Sequence, residues 1–236
     1  MPKKDSVRQM FDSIAPDYDR LNHILSLSVD KGWRRRALRR IVDTAGPLTV
    51  LDLACGTGDF SLAIARRLVR RGVDGQVTGL DLSEGMLAVM REKVAAAQLS
   101  DRICILQGDG EELPFPDASF DRVTIAFGIR NFEHRDTGLR EALRVLRPGG
   151  RLVILELSVP AFAPIRWLYK LYFLHFLPWI GGRVSGDKAA YNYLPASVLH
   201  FPGRKAFTAE LLSAGFSQVS HRAFSLGICR MYCAAK

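Results

Sequence analysis

From Leu48 onward, apolar residues come in short continuous runs separated by longer amphipathic stretches. The runs Thr49–Leu53, Gln76–Leu80, Ile103–Gln107, Phe120–Phe127 and Arg151–Leu157 have strand length and are rich in aliphatic side chains. Between them, Phe60–Arg70, Glu84–Ala97 and Thr137–Leu146 repeat apolar residues at helical spacing. This alternation predicts βαβ units and a parallel sheet covered by helices on both faces. Arg147-Pro148-Gly149-Gly150 reads as a turn between the last of these helices and its strand. The alternation stops after Ser158. It resumes as a short helix at Thr208–Ala214 and two closing strands, Phe216–His221 and Leu226–Ala234.

Three stretches lie outside that rhythm. Ser6 to Leu27 is amphipathic, with Val7, Met10, Phe11, Ile14, Leu21, Ile24 and Leu25 at helical spacing and a break at Ala15-Pro16-Asp17. Lys31 to Val42 reads as a basic helix carrying Arg34, Arg35, Arg36, Arg39 and Arg40; a solvated face is the plain reading and a membrane surface the sharper one. Pro160 to Lys205 is an insertion. Its segment Trp167 to Ile180 is densely aromatic and apolar, yet a bilayer span needs ~20 mostly apolar residues, and Arg166, Lys170, Pro178 and Arg183 interrupt it. A lid over an apolar ligand or an interfacial helix fits its place after the fifth strand better than a core helix does.

Composition adds bounds. The 236 residues suit a single α/β domain, 1–236, with an N-terminal helical cap at 1–47 and the insertion at 160–205. Four cysteines, Cys55, Cys104, Cys229 and Cys233, form no CxxC pair and no metal-ligand cluster, as expected of thiols in a reducing compartment. Met1 to Asp5 leads into a polar start without the apolar core of a signal peptide. The net charge of +9 invites nucleic acid, an anionic membrane surface, or neither.

The chemistry is concentrated around Val50-Leu51-Asp52-Leu53-Ala54-Cys55-Gly56-Thr57-Gly58-Asp59. Strand, glycine-rich turn and helix follow one another, and the helix start offers unpaired N–H groups. A dinucleotide site wants G-x-G-x-x-G, but Ser61 holds the third position. Asp52 also sits poorly beside a pyrophosphate and suits a cationic ligand; a turn without a ligand is the plain alternative. Asp81 ends the second strand, where two carboxylate oxygens can accept both hydroxyls of a ribose. Its alternative role as a helix cap falls better to Ser83, which leaves Asp81 free. Leu82 and Met86 are placed to line an adenine. Gly108-Asp109-Gly110 ends the third strand, with Asp109 placed to accept from an exocyclic amine and Gly110 permitting close approach. At the end of the fourth strand, Ile125 to Phe132 carries neither a [DN]PPY motif nor a Pro-Cys nucleophile. Arg130 and Asn131 stand there as a cation and an amide beside an apolar strand end.

The pattern hhDhxxGxG resembles motif I of the class I S-adenosyl-L-methionine methyltransferases. More of the chain resembles one family of them, the ubiquinone/menaquinone biosynthesis C-methyltransferases. Tyr18-Asp19-x-Leu21-Asn22-x-x-Leu25-Ser26 with Trp33 is similar to the family's N-terminal signature, and Arg144 to Ser158 to its second. Leu113-Pro114-Phe115-Pro116-Asp117 and Phe127-Gly128-Ile129-Arg130-Asn131 match as well. The chain departs at Leu21, Asp30, Cys55, Arg147 and Ala126, the last at a position where a Ser often helps to bind the cofactor.

The resemblance implies a Rossmann-like fold: a seven-stranded, mostly parallel sheet whose last strand is antiparallel, with N-terminal helices and an aromatic lid. It implies S-adenosylmethionine as cofactor, held by Asp52, Gly56, Thr57, Gly58, Asp81, Leu82, Asp109, Gly110 and Ala126. It implies methyl transfer to a ring carbon of a polyprenyl hydroquinone, with Arg130, Asn131 and Tyr18 at the reacting end and His134 a weaker candidate base. Asp30-Lys31-Gly32-Trp33-Arg34 is similar to members from menaquinone-only bacteria, which points to demethylmenaquinol; the ubiquinone branch is the alternative. The implied setting is the cytoplasm, peripheral to the inner membrane, with an anionic membrane surface as partner and a homo-oligomer left open. An RNA methyltransferase would want base-stacking aromatics beside the basic patch, and the aromatics cluster elsewhere, so no nucleic-acid partner is expected. A SAM-binding regulator without turnover is opposed by Arg130 and the insertion.

Overall fold

The computed structural model describes residues 4–19, 28–172 and 188–236. The expected helix through Leu27 and the aromatic stretch up to Ile180 therefore fall partly outside the described residues, at 20–27 and 173–187. The elements are α1 (Lys4–Ile14) with a 3-10 turn at Ala15–Asp17, α2 (Val29–Ile41), β1 (Leu48–Leu53), α3 (Asp59–Arg70), β2 (Gly75–Asp81), α4 (Glu84–Ala96), β3 (Ile103–Gln107), β4 (Phe120–Ala126), α5 (Arg135–Val145), β5 (Leu146–Leu157), α6 (Ala163–Leu171), α7 (Lys188–His200), α8 (Arg204–Ser213), β6 (Gln218–Phe224) and β7 (Cys229–Ala235).

One seven-stranded sheet runs in the order β3-β2-β1-β4-β5-β7-β6. The pairs among β1 to β5 are parallel, and β7 is antiparallel to both of its neighbours. Strand alternation distributes the core. Val50, Val153 and Leu155 pack under α2, α3 and α4 with Ile41, Ile64, Leu68 and Met90. Leu51, Leu53, Leu152 and Ile154 pack on the other face under α5 and α8 with Leu139, Val145, Phe207 and Leu211. This is the two-residue period of strands buried on both faces.

Local sequence explains the boundaries. Ser83 caps α4, its Oγ accepting from the Met86 N–H at 3.1 Å. Gly58, at φ +81°, precedes α3 and has no room for a Cβ, which would lie 2.5 Å from Met90 Cγ. Arg147 to Gly150 is not a turn ahead of β5 but a bulge within it. Leu146 already pairs with Phe120, the next pair is Arg151 with Arg122, and the extra residues are absorbed at Gly149, φ +75°. The closing strand begins at Cys229 rather than at Leu226. Ser225 and Leu226 are both left-handed, at φ +46° and +57°, and form a protruding turn.

Candidate active site

The strand order reverses between β1 and β4, and a cleft lies at the carboxyl ends of these strands, where open α/β sheets bind ligands. It consists of two adjoining cavities that share Tyr18, Ala54, Gly56, Ala126 and Phe127. The first runs past Asp81, Leu82, Met86, Asp109 and Gly110 and is roofed by Lys4, Val7 and Phe11 of α1. The second runs past Asp52, Thr57, Trp33, Arg34 and Arg130 to Leu157 and Leu194. Ala54 (φ +51°) and Phe127 (φ +62°) are left-handed non-glycine residues on the shared wall. Backbone strain of this kind collects at functional sites.

Asp52 is 1% exposed. Ser61 Oγ donates to it at 2.6 Å and Thr124 Oγ1 at 2.7 Å. Burial raises its pKa to about 6 despite these two donors. The residue that breaks the dinucleotide pattern, Ser61, is thus one that holds the acidic group. Asp81 is not free. Its Oδ2 accepts from the Gly56 N–H at 2.8 Å and its Oδ1 from the Ser83 N–H at 2.9 Å, while burial pushes its pKa up. These bonds orient both oxygens at the cavity wall, and each oxygen keeps further acceptor capacity. Thr57 Oγ1 donates to Asp19, and Lys93 joins Asp19 (2.6 Å) to Asp59 (2.5 Å). Asp59 also meets Arg34 at 3.2 Å, and Arg34 pairs with the buried Asp30 at 2.6 Å.

At the third strand, Asp109 Oδ1 accepts from the Glu111 N–H at 2.9 Å, and Lys4 Nζ bonds Oδ2. Gly110 lines the cavity, but its missing Cβ makes room for Phe132, whose Cζ would lie 2.7 Å away. Gly58 lines neither cavity; it serves the start of α3.

At the fourth strand, Arg130 is pinned. Its Nη1 donates to Glu156 Oε1 at 2.8 Å and to the Phe127 carbonyl, its Nε to Ser197 Oγ at 3.3 Å, and its backbone N–H to Glu156 Oε2 at 3.2 Å. Glu156 is fully buried. Burial opposes the charge on Arg130, but the Glu156 carboxylate outweighs it and holds the guanidinium above its ordinary pKa. Asn131 Oδ1 accepts from Tyr193 Oη at 3.0 Å. Tyr18 lies edge-on to Phe11 with ring centres 5.9 Å apart, on the wall shared by both cavities. His134 precedes α5 and lines neither cavity.

The residues present fit S-adenosylmethionine. A Cβ built at Gly56 would meet nothing within 4 Å, so the space before the turn is open. Around it stand oriented carboxylates of Asp81 and Asp109, apolar Leu82 and Met86, and a buried acid, Asp52. A sulfonium and an ammonium are better matched by this set than a pyrophosphate is. Glu156, Tyr193, Asp19, Lys93 and α1 escaped sequence reading as parts of the site. Two of them carried a signal: Glu156, an acid following an apolar run, and Asp19, which stands in the N-terminal signature beside Tyr18.

The family model described as the ubiE/COQ5 methyltransferase family matches residues 1–236. The chain is 44% identical to a demethylmenaquinone methyltransferase of Bacteroides fragilis, covering 99% of this chain and 94% of that protein. It is 47% identical to the ubiquinone/menaquinone biosynthesis C-methyltransferase UbiE of Geobacter sulfurreducens, covering 99% and 90%. Among solved structures, the [4+2]-cyclase SpnF superposes with a TM-score of 0.74 at 20% identity over 100% of this chain and 97% of that one. That likeness shows the fold alone, and its name illustrates that one fold carries different reactions. The full-length family match and the relatives' identity settle the matter: the chain belongs to the ubiE/COQ5 methyltransferase family and is an S-adenosylmethionine-dependent methyltransferase.

Proposed function

We propose that the enzyme methylates a ring carbon of reduced demethylmenaquinone, yielding menaquinol. The observation that carries this reading is the continuity of the cleft. Acidic strand ends suited to the cofactor lead past Ala126 and Phe127 into a cavity edged by Trp33, Leu157 and Leu194, with Arg130 on its wall. Two of the most similar relatives carry names for quinone methylation.

When bound, S-adenosylmethionine supplies an electrophilic methyl group. Asp81 would hold the ribose hydroxyls, Asp109 the adenine amine once Lys4 yields it, and Asp52 would favour the cationic end; Thr57, Gly56, Gly110, Leu82 and Ala126 complete the walls. A ring carbon becomes nucleophilic when the adjacent hydroxyl ionises, because phenolate density reaches the ortho carbon. Arg130 would favour that ionised form by aiming N–H dipoles at the oxygen. Since Glu156 neutralises its net charge, Arg130 acts as an oriented donor more than as a free cation. It stays protonated, so the phenolic proton goes to water and not to Arg130, as does the ring-carbon proton that the methyl group displaces. Asn131 would hold the second ring oxygen, with Tyr193 fixing its amide, and Tyr18 would close over the ring. Residues 1–47 form the cap of a single domain in this reading, and 160–205 its substrate lid and membrane-facing insertion, with Trp167, Leu168 and Leu171 on the side away from the cleft. The enzyme works in the cytoplasm, peripheral to the inner membrane, where it takes its insoluble substrate.

The test is an assay with reduced demethylmenaquinone in detergent, read by mass spectrometry of the extracted quinone. Gain of one methyl group is expected. No transfer, in protein shown to bind S-adenosylmethionine, would overturn the naphthoquinol reading. A demethoxyubiquinol analogue run beside it tests the second reading, which the name of the Geobacter relative favours.

A further inference from the structure

α6 has two apolar stripes, and one of them is left uncovered among the described residues. Ile165, Tyr169 and Tyr172 point one way, and Tyr169, 5% exposed, packs with Leu157, Leu194, Val198 and Ile228. Pro164, Trp167, Leu168 and Leu171 recur at i, i+3, i+4 and i+7 and so share a second face. That face is in solvent: Trp167 is 65%, Leu168 54% and Leu171 47% exposed, and Phe162 just before the helix is 67% exposed. Arg166 and Lys170, four apart on the same helix, are exposed beside it.

A segment distant in sequence extends this face. Leu226, at the tip of the left-handed turn between β6 and β7, is 74% exposed. The turn is tied to the start of the insertion: Ser158 Oγ donates to the Gly227 carbonyl at 2.6 Å, and a Cβ on Gly227 would lie 3.5 Å from Pro160 Cα. On its other side the turn meets α2. Trp33 Nε1 donates to Ser225 Oγ at 2.9 Å, and the Arg36 guanidinium lies 5.7 Å from the centre of the Phe224 ring. Lys31, Arg35 and Arg36 of α2 are exposed or nearly so. A non-glycine pair in the left-handed region is costly to keep, and here it presents a bare leucine.

We propose that α6 and the Leu226 turn form one membrane-docking face, seated in an anionic phospholipid monolayer. Trp167, Leu168, Leu171 and Leu226 enter the acyl boundary, and Arg166, Lys170, Arg35 and Arg36 meet the phosphates. Charge complementarity selects this occupant: the apolar face is bordered by cations from two helices. Position supports it too. Leu157 and Leu194, which line the inner end of the cleft, pack with Tyr169 on the covered side of α6, so the cleft adjoins this face. A ligand with a long apolar tail then moves from bilayer to cleft without exposing the tail to water. The proposal rests on the quinol reading only for that last step.

The test uses the full-length protein and three variants: the triple Trp167→Ser/Leu168→Ser/Leu171→Ser, Leu226→Ser, and the control Leu212→Ser. Leu212 is 50% exposed on α8, on the opposite side of the sheet. Flotation with phosphatidylglycerol/phosphatidylcholine vesicles is measured beside turnover of a water-soluble short-tail quinol and of a long-tail quinol held in the vesicles. The triple variant is expected to lose vesicle binding by about tenfold or more and Leu226→Ser by a few fold. Both keep short-tail turnover and lose long-tail turnover, and Leu212→Ser matches wild type throughout. Wild-type vesicle binding in the triple variant, or no binding by the wild type, overturns the proposal. So does a dimer in sedimentation that the triple variant abolishes while still floating, which would assign the face to a second copy of the chain. Absence of turnover on both quinols, with vesicle binding lost in the variants, would remove the quinol reading and leave the docking face standing.

Discussion

Glu156 sits next to the carboxyl end of β5, after the apolar run Leu152–Leu155, fully buried, and its partner Arg130 is 6% exposed. Two charges taken out of water in this way repay their desolvation through each other and through added bonds: Glu156 accepts from the backbone N–H groups of Arg130 and Leu157, and Arg130 donates to the Phe127 carbonyl and Ser197 Oγ. Removing one partner strands the other. Glu156→Ala is therefore expected to lose about 3–5 kcal/mol in urea unfolding. The double variant Arg130→Met/Glu156→Met should lose clearly less than the two single losses combined. Arg130→Ala, in protein that remains folded, should cut turnover while leaving S-adenosylmethionine affinity nearly intact. Additive stability losses would show that the pair is not coupled, and unchanged turnover would remove Arg130 from the reaction.

At the level of elements, α1 is held over the cleft through one buried side chain, Val7, and through polar ties that include, among the described residues, Lys4 to Asp109 and Glu133 and Asp12 to the start of α4. Asp12 Oδ1 accepts from the Gly85 N–H at 3.0 Å and from Ser83 Oγ, so α1 supplies an acceptor and a negative charge to the positive end of α4. Gly85 permits this approach, since a Cβ there would lie 3.1 Å from the Asp12 carboxylate. Asp12→Ala should weaken the docking by about 1 kcal/mol. Amide exchange across residues 4–14 should then rise about fivefold with little change elsewhere. Unchanged exchange in α1 would show that the tie carries no weight.

For the whole molecule, the consequence of Asp52 is a pH-dependent stability. The carboxyl lies in β1 at the centre of the sheet, and its pKa of about 6 stands above the ordinary 3.8. The folded protein therefore binds this proton more tightly than the unfolded chain does. Its contribution to stability is most favourable below pH ~4, falls as pH rises toward ~6, and is level above that, a total of about 3 kcal/mol. Asp52→Asn abolishes that dependence. Relative to wild type, the variant should gain stability as pH rises through the window and hold the gain at neutral pH. Urea unfolding of both proteins across pH 4 to 8 reads this directly, and parallel curves would rule out a raised Asp52 pKa.

The strands, the glycine turn, the three acidic strand ends and the parallel sheet were legible in the sequence, because each is written locally. A strand buried on both faces needs a run of aliphatics, and an acidic ligand contact needs its residue at a strand's carboxyl end. The same local grammar misread Arg147 to Gly150 as a free turn, since a Pro-Gly-Gly run looks alike in a turn and in a bulge; the pairing of Leu146 with Phe120 decided between them. It also left Asp81 free, because only the folded turn brings the Gly56 N–H to its carboxylate. Partnerships across long separations belong to tertiary structure alone. Asp52 meets Thr124, Arg130 meets Glu156, Lys4 reaches Asp109, and the Leu226 turn lies beside Pro160, through strand register and helix docking that no window of sequence contains. Sequence determined which chemical groups stand at the ends of which strands; packing decided which of those groups are already spent on one another.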